Sequence, residues 1–535
     1  MSKVDARDAV VVGAGFGGLA TALSLARAGA RVTLCETLTY PGGCASTFER
    51  RGARFEAGAT LFSGFGPGQP FDRWRRELGL DLQFDELDPT VVLRTPSFEL
   101  PIPPERAAFV DRMVRLPGAD RDAVVGFFRE QERIADALWS LFDDPALLPP
   151  FGPRELLRHV GRLPRYLPLL ELVGRPLEVF LRRHGLDRWG PLRTYADAVS
   201  QITVQASAAE AEAPFALATM DYYFRGTGHV HGGIGRLAQA LVAAIRDAGG
   251  EVRFADRVKG LRYDEADGRW VVHARKGPLQ APAVAANLLP QDARCLAGLS
   301  EGQVPRLDRL ARRVSTGWGA AMLYLVVRPD APELDPAHHL EIVQDEGRPF
   351  LEGNHLFVSV SGRDETDRAP DGRRTVTVST HVPAAELAAL PDHEQAARVA
   401  AVQARMREGL RRFAPRLWAG VEGEMTGSPR TFARFTGRDR GLVGGVPRRT
   451  GLHHYLDVWP RPVLPGLYLV GDTVFPGQST LATALGGMKL ADHLLGTGTV
   501  RRGRRDDDEA RSAPDLPAGI EAAEKAAAAA SDRAA

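Results

Sequence analysis

The first apolar run, Ala9 to Val12, is continuous rather than alternating, as in a strand covered on both faces. A glycine cluster follows it. Apolar positions then recur at helical spacing, Leu19, Leu23, Leu25 and Ala26, and Gly29 is placed to close the helix. Arg31 to Cys35 is a second β-branched run. The pattern predicts a strand, a helix and a second strand, the start of a βαβ fold. From about Ala123 to Leu192 the chain reads mostly helical and is rich in Leu, Arg and Pro, as in Glu155-Leu156-Leu157-Arg158-His159. Strands are predicted over Met322 to Val327, Leu356 to Val360 and Thr375 to Ser379. The turn signal Pro370-Asp371-Gly372 lies between the last two, in a connection too long for a tight hairpin. Ala396 to Phe413 has the spacing of an amphipathic helix. Pro465 to Val470 is another buried strand and runs directly into Gly471-Asp472. After Arg501, Arg and Asp runs lead into an Ala-rich tail with few large apolar residues, for which disorder is predicted.

Composition narrows the picture only slightly. Apolar residues make up 44 % and charged residues 25 % of 535 positions, as in ordinary globular proteins. The formal net charge of +1 gives no electrostatic case for nucleic acid. Cys35, Cys44 and Cys295 form no CxxC pair and no metal-ligand spacing. His229-Val230-His231 puts two imidazoles on one face of a strand, yet no acidic or thiol partner is near in sequence, so no metal is assigned. The N-terminus lacks the pattern of a signal peptide, and no window is apolar enough to span a bilayer. A cytoplasmic protein is expected.

The chemistry is carried by Gly13-Ala14-Gly15-Phe16-Gly17-Gly18, a GxGxxG between a predicted strand and a predicted helix. Gly13 suits the tight turn off the strand. Gly15, without a side chain, lets a pyrophosphate approach, and Gly18 lets the helix pack on the strand. The helix N-terminus then offers free N–H groups to the phosphates. Glu36, 23 positions after Gly13, ends the second strand, where its carboxylate suits ribose hydroxyls and opposes a 2′-phosphate. FAD and NAD share this fingerprint. No second GxGxxG follows a strand in mid-chain: Gly232-Gly233-Ile234-Gly235 opens a helix without one. No separate nicotinamide domain is expected, so electrons pass to an acceptor that the sequence does not identify.

Pro41-Gly42-Gly43 after the second strand and Gly471-Asp472 near the C-terminus resemble motifs of the flavoprotein superfamily of amine oxidases, phytoene desaturases and GDP-dissociation inhibitors. The resemblance implies FAD, with Gly42 and Gly43 near the diphosphate, Gly471 and Asp472 against the ribityl-phosphate portion, and the backbone of Val258 on the adenine. Within the superfamily the chain is most similar to the carotenoid desaturases and isomerases. The likeness rests on Gly42 to Gly52, Phe55 to Thr60, Gly437 to Gly445 and Gly471 to Gln478, and runs from about Ala9 to Leu495. It is closest to the C-3′,4′ carotenoid desaturases. Amine oxidases commonly place a Lys near flavin N5, whereas here no Lys occurs between Lys276 and Lys489, and Cys44 replaces the Arg that usually follows the glycine doublet.

The resemblance implies an α/β protein: a Rossmann-type FAD-binding domain, amine oxidase or phytoene desaturase-like, with an inserted α+β substrate domain. The FAD domain is expected from residues 1–95, 226–298 and 446–498, the substrate domain from 96–225 (helical) and 299–445, and a disordered tail from 499–535. The implied reaction is introduction of a C-3,4 (3′,4′) double bond into an acyclic carotenoid, with or without a 1-hydroxyl group. The alternatives are a carotenoid cis–trans isomerase using reduced flavin, and a non-enzymatic lipid-handling protein of GDP-dissociation-inhibitor type. The intact Gly13, Gly15, Gly18, Glu36 and Asp472 set opposes the last. A proton acceptor would assist desaturation. Asp439 and Asp221 are weighed for it, each also read as a structural carboxylate, and no catalytic residue is assigned. The hydrophobic carotenoid must come from a membrane, so peripheral association is expected through the Leu/Arg/Pro-rich helical region, with Trp139, Phe142, Tyr166, Phe180 and Trp189 as interfacial aromatics.

Overall fold

The computed structural model describes residues 5–451 and 453–503. A six-stranded sheet has the order Glu251–Arg253, Val32–Cys35, Ala9–Val12, Ala283–Ala286, Leu467–Leu469, Pro462–Leu464, parallel except at its last pair. The continuous apolar run of its central strand is explained by its two coverings. Ala9 and Val11 pack in one core with the helices Phe16–Arg27, Ile234–Asp247 and Thr480–Gly496. Val10 and Val12 pack on the opposite face with Val258, Trp270 and Leu279 of the antiparallel meander Val258–Asp264, Arg269–Ala274, Gly277–Ala281. Three distant segments of chain thus build one doubly covered nucleotide domain.

A seven-stranded sheet forms the second layer, ordered Val421–Gly427, Trp318–Val327, Arg374–Pro383, His355–Val360, His338–Val343, Val91–Arg94, Glu99–Ile102. Alternation divides its faces. Ala321, Leu323 and Leu325 meet Val402, Met406 and Leu410 of the helix Asp392–Phe413, while Ala320, Met322 and Tyr324 face the nucleotide domain. Helices Arg121–Asp143, Pro153–Leu170, Leu177–Arg183, Gly190–Thr203 and Ala213–Thr219 cap this assembly.

Four expectations need correction. The hairpin Val91–Arg94/Glu99–Ile102 belongs to the seven-stranded sheet, pairing in parallel with Leu340–Ile342, so a division at 95/96 cuts it in half. The first residues of the expected tail are packed: Val500 is buried and the Gly503 N–H donates to the Ala28 carbonyl (3.0 Å). The rest of that tail, 504–535, lies outside the described residues. Trp139 and Phe180 are core residues, Trp139 donating from Nε1 to the Ala218 carbonyl (2.9 Å), and are not available to an interface. The acidic partners missing near His229 and His231 come from afar: Glu365 lies 3.0 Å from His229, and Asp85 pairs with His231.

Glu365 belongs to a buried clamp between the layers. Arg368, beyond it on the same loop, pairs with Glu56 (2.7 Å) and donates to the Gly232 carbonyl (3.3 Å). Glu365 accepts from the Gly232 N–H (2.7 Å), and Glu56 accepts from the Thr47 hydroxyl (2.8 Å).

Candidate active site

The site is built where the parallel strands end. Gly13 leaves its strand with φ +96°, a conformation that favours glycine, and its N–H donates to the Cys35 carbonyl (2.8 Å). The Ala14 N–H donates to Glu36 Oε2 (2.7 Å), and Oε1 accepts from the Leu38 N–H (2.8 Å). Burial pushes the Glu36 carboxyl up, against these hydrogen bonds. The Ala14 carbonyl accepts from the Gly42 N–H (2.8 Å), which fixes the glycine doublet over the turn. A Cβ on Gly18 would lie 2.1 Å from the Gly13 carbonyl oxygen, so the helix seats on the strand only with glycine there. Gly17 also approaches the Gly471 backbone, a Cβ on it falling 3.0 Å from Gly471 Cα.

Gly13, Gly15, Phe16, Gly17, Glu36, Gly42, Gly43, Val258 and Asp472 line one cavity of about 550 Å³. Ala14, Gly18 and Gly471 stand behind them and hold the turn. The helix Phe16–Arg27 points its N-terminus into this cavity with no side-chain cap and no acid in its first turn. Its orphan N–H groups and positive dipole end therefore fit a pyrophosphate. With Glu36 at the ribose position, these residues fit a dinucleotide lying across the strand ends.

Sequence reasoning missed three cavity residues. Asn287 ends the strand Ala283–Ala286; its amide accepts from the Gly15 N–H (3.1 Å) and donates to the Val470 carbonyl (3.2 Å), tying the cradle to the C-terminal strand. Arg438 donates to Asp472 (2.8 Å) and to the Leu442 carbonyl (2.7 Å). Burial opposes its charge, but Asp472 and its other neighbours outweigh burial and hold it charged. The motif containing Arg438 is legible in the sequence, but nothing near it shows that Arg438 meets Asp472. Arg448 is the third. Asp439 and Asp221 do not reach the cavity. Asp221 is fully buried and bound to Arg106, Arg225 (2.9 Å) and Gln131 (2.8 Å), and Asp439 accepts from Gln291 (3.3 Å). Asp292 does line the cavity, where burial pushes its carboxyl up to about 6.

Beyond the cradle the cavity becomes apolar. Leu138, Trp139, Phe142, Phe215, Met322, Phe357 and Phe432 form its walls, and no lysine among the described residues lines it. His381 projects from the sheet into this half, with burial lowering its imidazole to about 3.

This fold and cradle define an FAD-dependent oxidoreductase, with a nucleotide domain completed by the strand Leu467–Leu469 and the helix Thr480–Gly496. Residues 11–78 match the family model of the NAD(P)-binding Rossmann-like domain. Along most of its length the chain is similar to carotenoid isomerases and desaturases and to a retinol reductase. It is 27 % identical to prolycopene isomerase of Arabidopsis thaliana, over 91 % of this chain and 82 % of that protein. It is also 27 % identical to hydroxyneurosporene desaturase of Cereibacter sphaeroides, over 91 % and 97 %. Human all-trans-retinol 13,14-reductase is 26 % identical, over 88 % and 82 %. Among solved structures, an oxidoreductase from Methanosarcina mazei shares the fold with TM-score 0.59 and 18 % identity, over 91 % and 100 % of the two chains. Putrescine oxidase does so with TM-score 0.61 and 16 % identity, over 92 % and 100 %.

Proposed function

We propose that the protein is a carotenoid desaturase that introduces a C-3,4 (3′,4′) double bond into an acyclic carotenoid, with or without a 1-hydroxyl group. The observation that carries this reading is the continuity of the cavity, from an uncapped helix N-terminus and Glu36 into a half walled by Leu, Met and Phe. Bound FAD would supply the two-electron acceptor. The chain's own part is to hold the pyrophosphate on the Gly15–Gly18 turn and to orient the polyene between the sheet and the helical cap. It also excludes water with Met322, Phe357 and Phe432. A second reading, cis–trans isomerisation, is supported by the equal identity to the prolycopene isomerase and the hydroxyneurosporene desaturase. Anaerobic incubation of the flavin-loaded protein with acyclic carotenoids in liposomes separates the two. Desaturation gives a product two hydrogens lighter with bleaching of the flavin. Unchanged mass with altered geometry, seen only with reduced flavin, assigns isomerisation.

The substrate's route is part of the proposal. No helix among the described residues is long and apolar enough to cross a membrane. The helix Pro153–Leu170 nevertheless exposes Leu156, Leu157, Val160, Leu163, Leu167 and Leu170, each between 52 % and 73 % accessible. They recur at helical spacing, and Arg154, Arg158, Arg162 and Arg165 accompany them with Glu155 as the one acid. Such a face suits the interface of an anionic bilayer, with leucines among the acyl chains and arginines at the headgroups. The preceding helix, Arg121–Asp143, supplies Leu138, Trp139 and Phe142 to the cavity wall, so the exposed face lies beside the apolar half. The protein is expected to float with phosphatidylglycerol-containing vesicles. Leu157→Glu/Leu163→Glu/Leu167→Glu is expected to abolish flotation while flavin content stays unchanged. A triple variant that floats like the parent, or a parent dimer that buries this face, would count against it.

A further inference from the structure

Arg448 is 6 % exposed, yet no carboxylate among the described residues lies within 4 Å of its guanidinium. Its side chain makes one hydrogen bond, from Nη2 to the Pro476 carbonyl (2.9 Å), and lies 5.1 Å over the ring of Phe215. Glu212, the acid that acts on it through space, accepts from the Tyr455 hydroxyl with one oxygen. Among the described residues Nε and Nη1 have no hydrogen-bond partner, in a side chain that lines the cavity. The neighbouring polar groups are not in this position: Gln205 donates to Gln478 (2.7 Å), and Gln478 donates to the Ile202 carbonyl (2.8 Å). Gly477, φ +127°, keeps the space beside the guanidinium clear, since a Cβ there would fall 2.7 Å from Nη2. Glu212 acts on the guanidinium only through space, and a buried cation with no ion pair is stabilised when negative charge arrives beside it.

The direction from which charge arrives follows from the cradle. A dinucleotide with its ribose at Glu36 and its pyrophosphate on the helix N-terminus runs its other half toward Asp472. The loop from Asp472 leads to Pro476, which holds Arg448. We propose that Arg448 is the cation that takes up the negative charge formed on the flavin's pyrimidine edge when electrons enter the ring. This rests on the FAD reading above. Two-electron reduction places an electron pair and one proton on the ring, and the unneutralised charge sits at N1 and the C2 carbonyl. A fixed guanidinium there stabilises the charged form, and it is a charge near the ring of the kind by which proteins tune flavins. Burial lowers the guanidinium only to about 10, so it remains charged at neutral pH.

Sulfite tests this without turnover. Its sulfur lone pair forms a bond to N5 of oxidised flavin, and the displaced electron pair comes to rest at N1 and the C2 carbonyl. The parent, Arg448→Met and Arg448→Lys proteins are loaded with FAD and titrated with sulfite by flavin absorbance. The sulfite Kd is expected to rise about tenfold or more in Arg448→Met, and by less in Arg448→Lys. Arg448→Gln carries the measurement if Arg448→Met does not fold. An unchanged sulfite Kd in a fully loaded, charge-removed variant overturns the proposal. The same samples are titrated with hydroxylated and hydrocarbon carotenoids. Selective loss of affinity for the hydroxylated ligand with sulfite binding unchanged assigns the guanidinium to a substrate oxygen and also overturns it. A parent protein that binds no flavin defeats the FAD reading itself, a result distinct from either.

Discussion

Gly15→Val protein is expected to purify folded and without flavin, whereas Gly18→Ala is expected not to accumulate as folded protein. The two glycines meet different neighbours. A Cβ on Gly15 would lie 2.5 Å from the Asn287 amide oxygen, the end of a side chain that can rotate away. The fold survives that displacement, but the Asn287 bonds to Gly15 and Val470 are lost and branched methyls stand over the helix N-terminus, where a phosphate must approach. A Cβ on Gly18 would lie 2.1 Å from a backbone oxygen, with Val11 Cγ1 3.3 Å away on the central strand. Relief there requires lifting the helix off the sheet. Absorbance of the purified proteins and their thermal unfolding check both outcomes, and full flavin occupancy in Gly15→Val would falsify the placement of the phosphate.

The second large effect concerns the clamp between the layers. Arg368→Met is expected to destabilise the protein by about 3–5 kcal/mol, because it leaves Glu56 and Glu365 as buried carboxylates without their cation. Arg368, Glu56 and Glu365 are each at most 4 % exposed, so water does not replace the lost partner. Chemical denaturation measures the loss; Glu56→Gln added to Arg368→Met is expected to recover part of it. The clamp also sets an acid limit. Burial pushes the Glu365 carboxyl up, but His229 and Arg368 outweigh burial and hold it well below the usual carboxylate range. A carboxylate depressed in the folded state contributes stability that is present above the unfolded value, about 4.3, and is lost as pH falls below it. Denaturation midpoints should therefore fall steeply below about pH 4.5, and Glu365→Gln should flatten that fall. A loss under about 1 kcal/mol in Arg368→Met would mean that the two acids find other partners.

The cradle was legible because its constraints are local. Gly13, Gly15 and Gly18 share one turn, and Glu36 follows at the end of the next strand, so one short stretch of sequence carries the geometry. Gly471 and Asp472 were found only through resemblance, because nothing near them shows that the strand Leu467–Leu469 inserts beside Ala283–Ala286. Asn287 and Arg448 were missed for the same reason: their partners, Gly15 and Pro476, are distant in sequence. The boundary at 95/96 failed likewise, since the partner of Val91–Arg94, Leu340–Ile342, is also remote. The helical region was legible as helix, but not which aromatics it buries. Trp139 and Phe180 have the same amphipathic setting as the exposed leucines, and tertiary packing alone separates them.

The close fit of the first and last helices has a consequence for how the protein is made. Gly487 sits on Gly17, where a Cβ would fall 2.3 Å from the Gly17 carbonyl oxygen, and the Thr21 hydroxyl reaches the Gly487 carbonyl (3.2 Å). The glycine turn leaves the ribosome long before the helix that buttresses it. A nascent chain therefore carries an open half-cradle until Thr480–Gly496 has emerged, and cofactor capture must wait for that helix. Any message truncated before the codons for Thr480–Gly496 encodes a chain that never retains its cofactor.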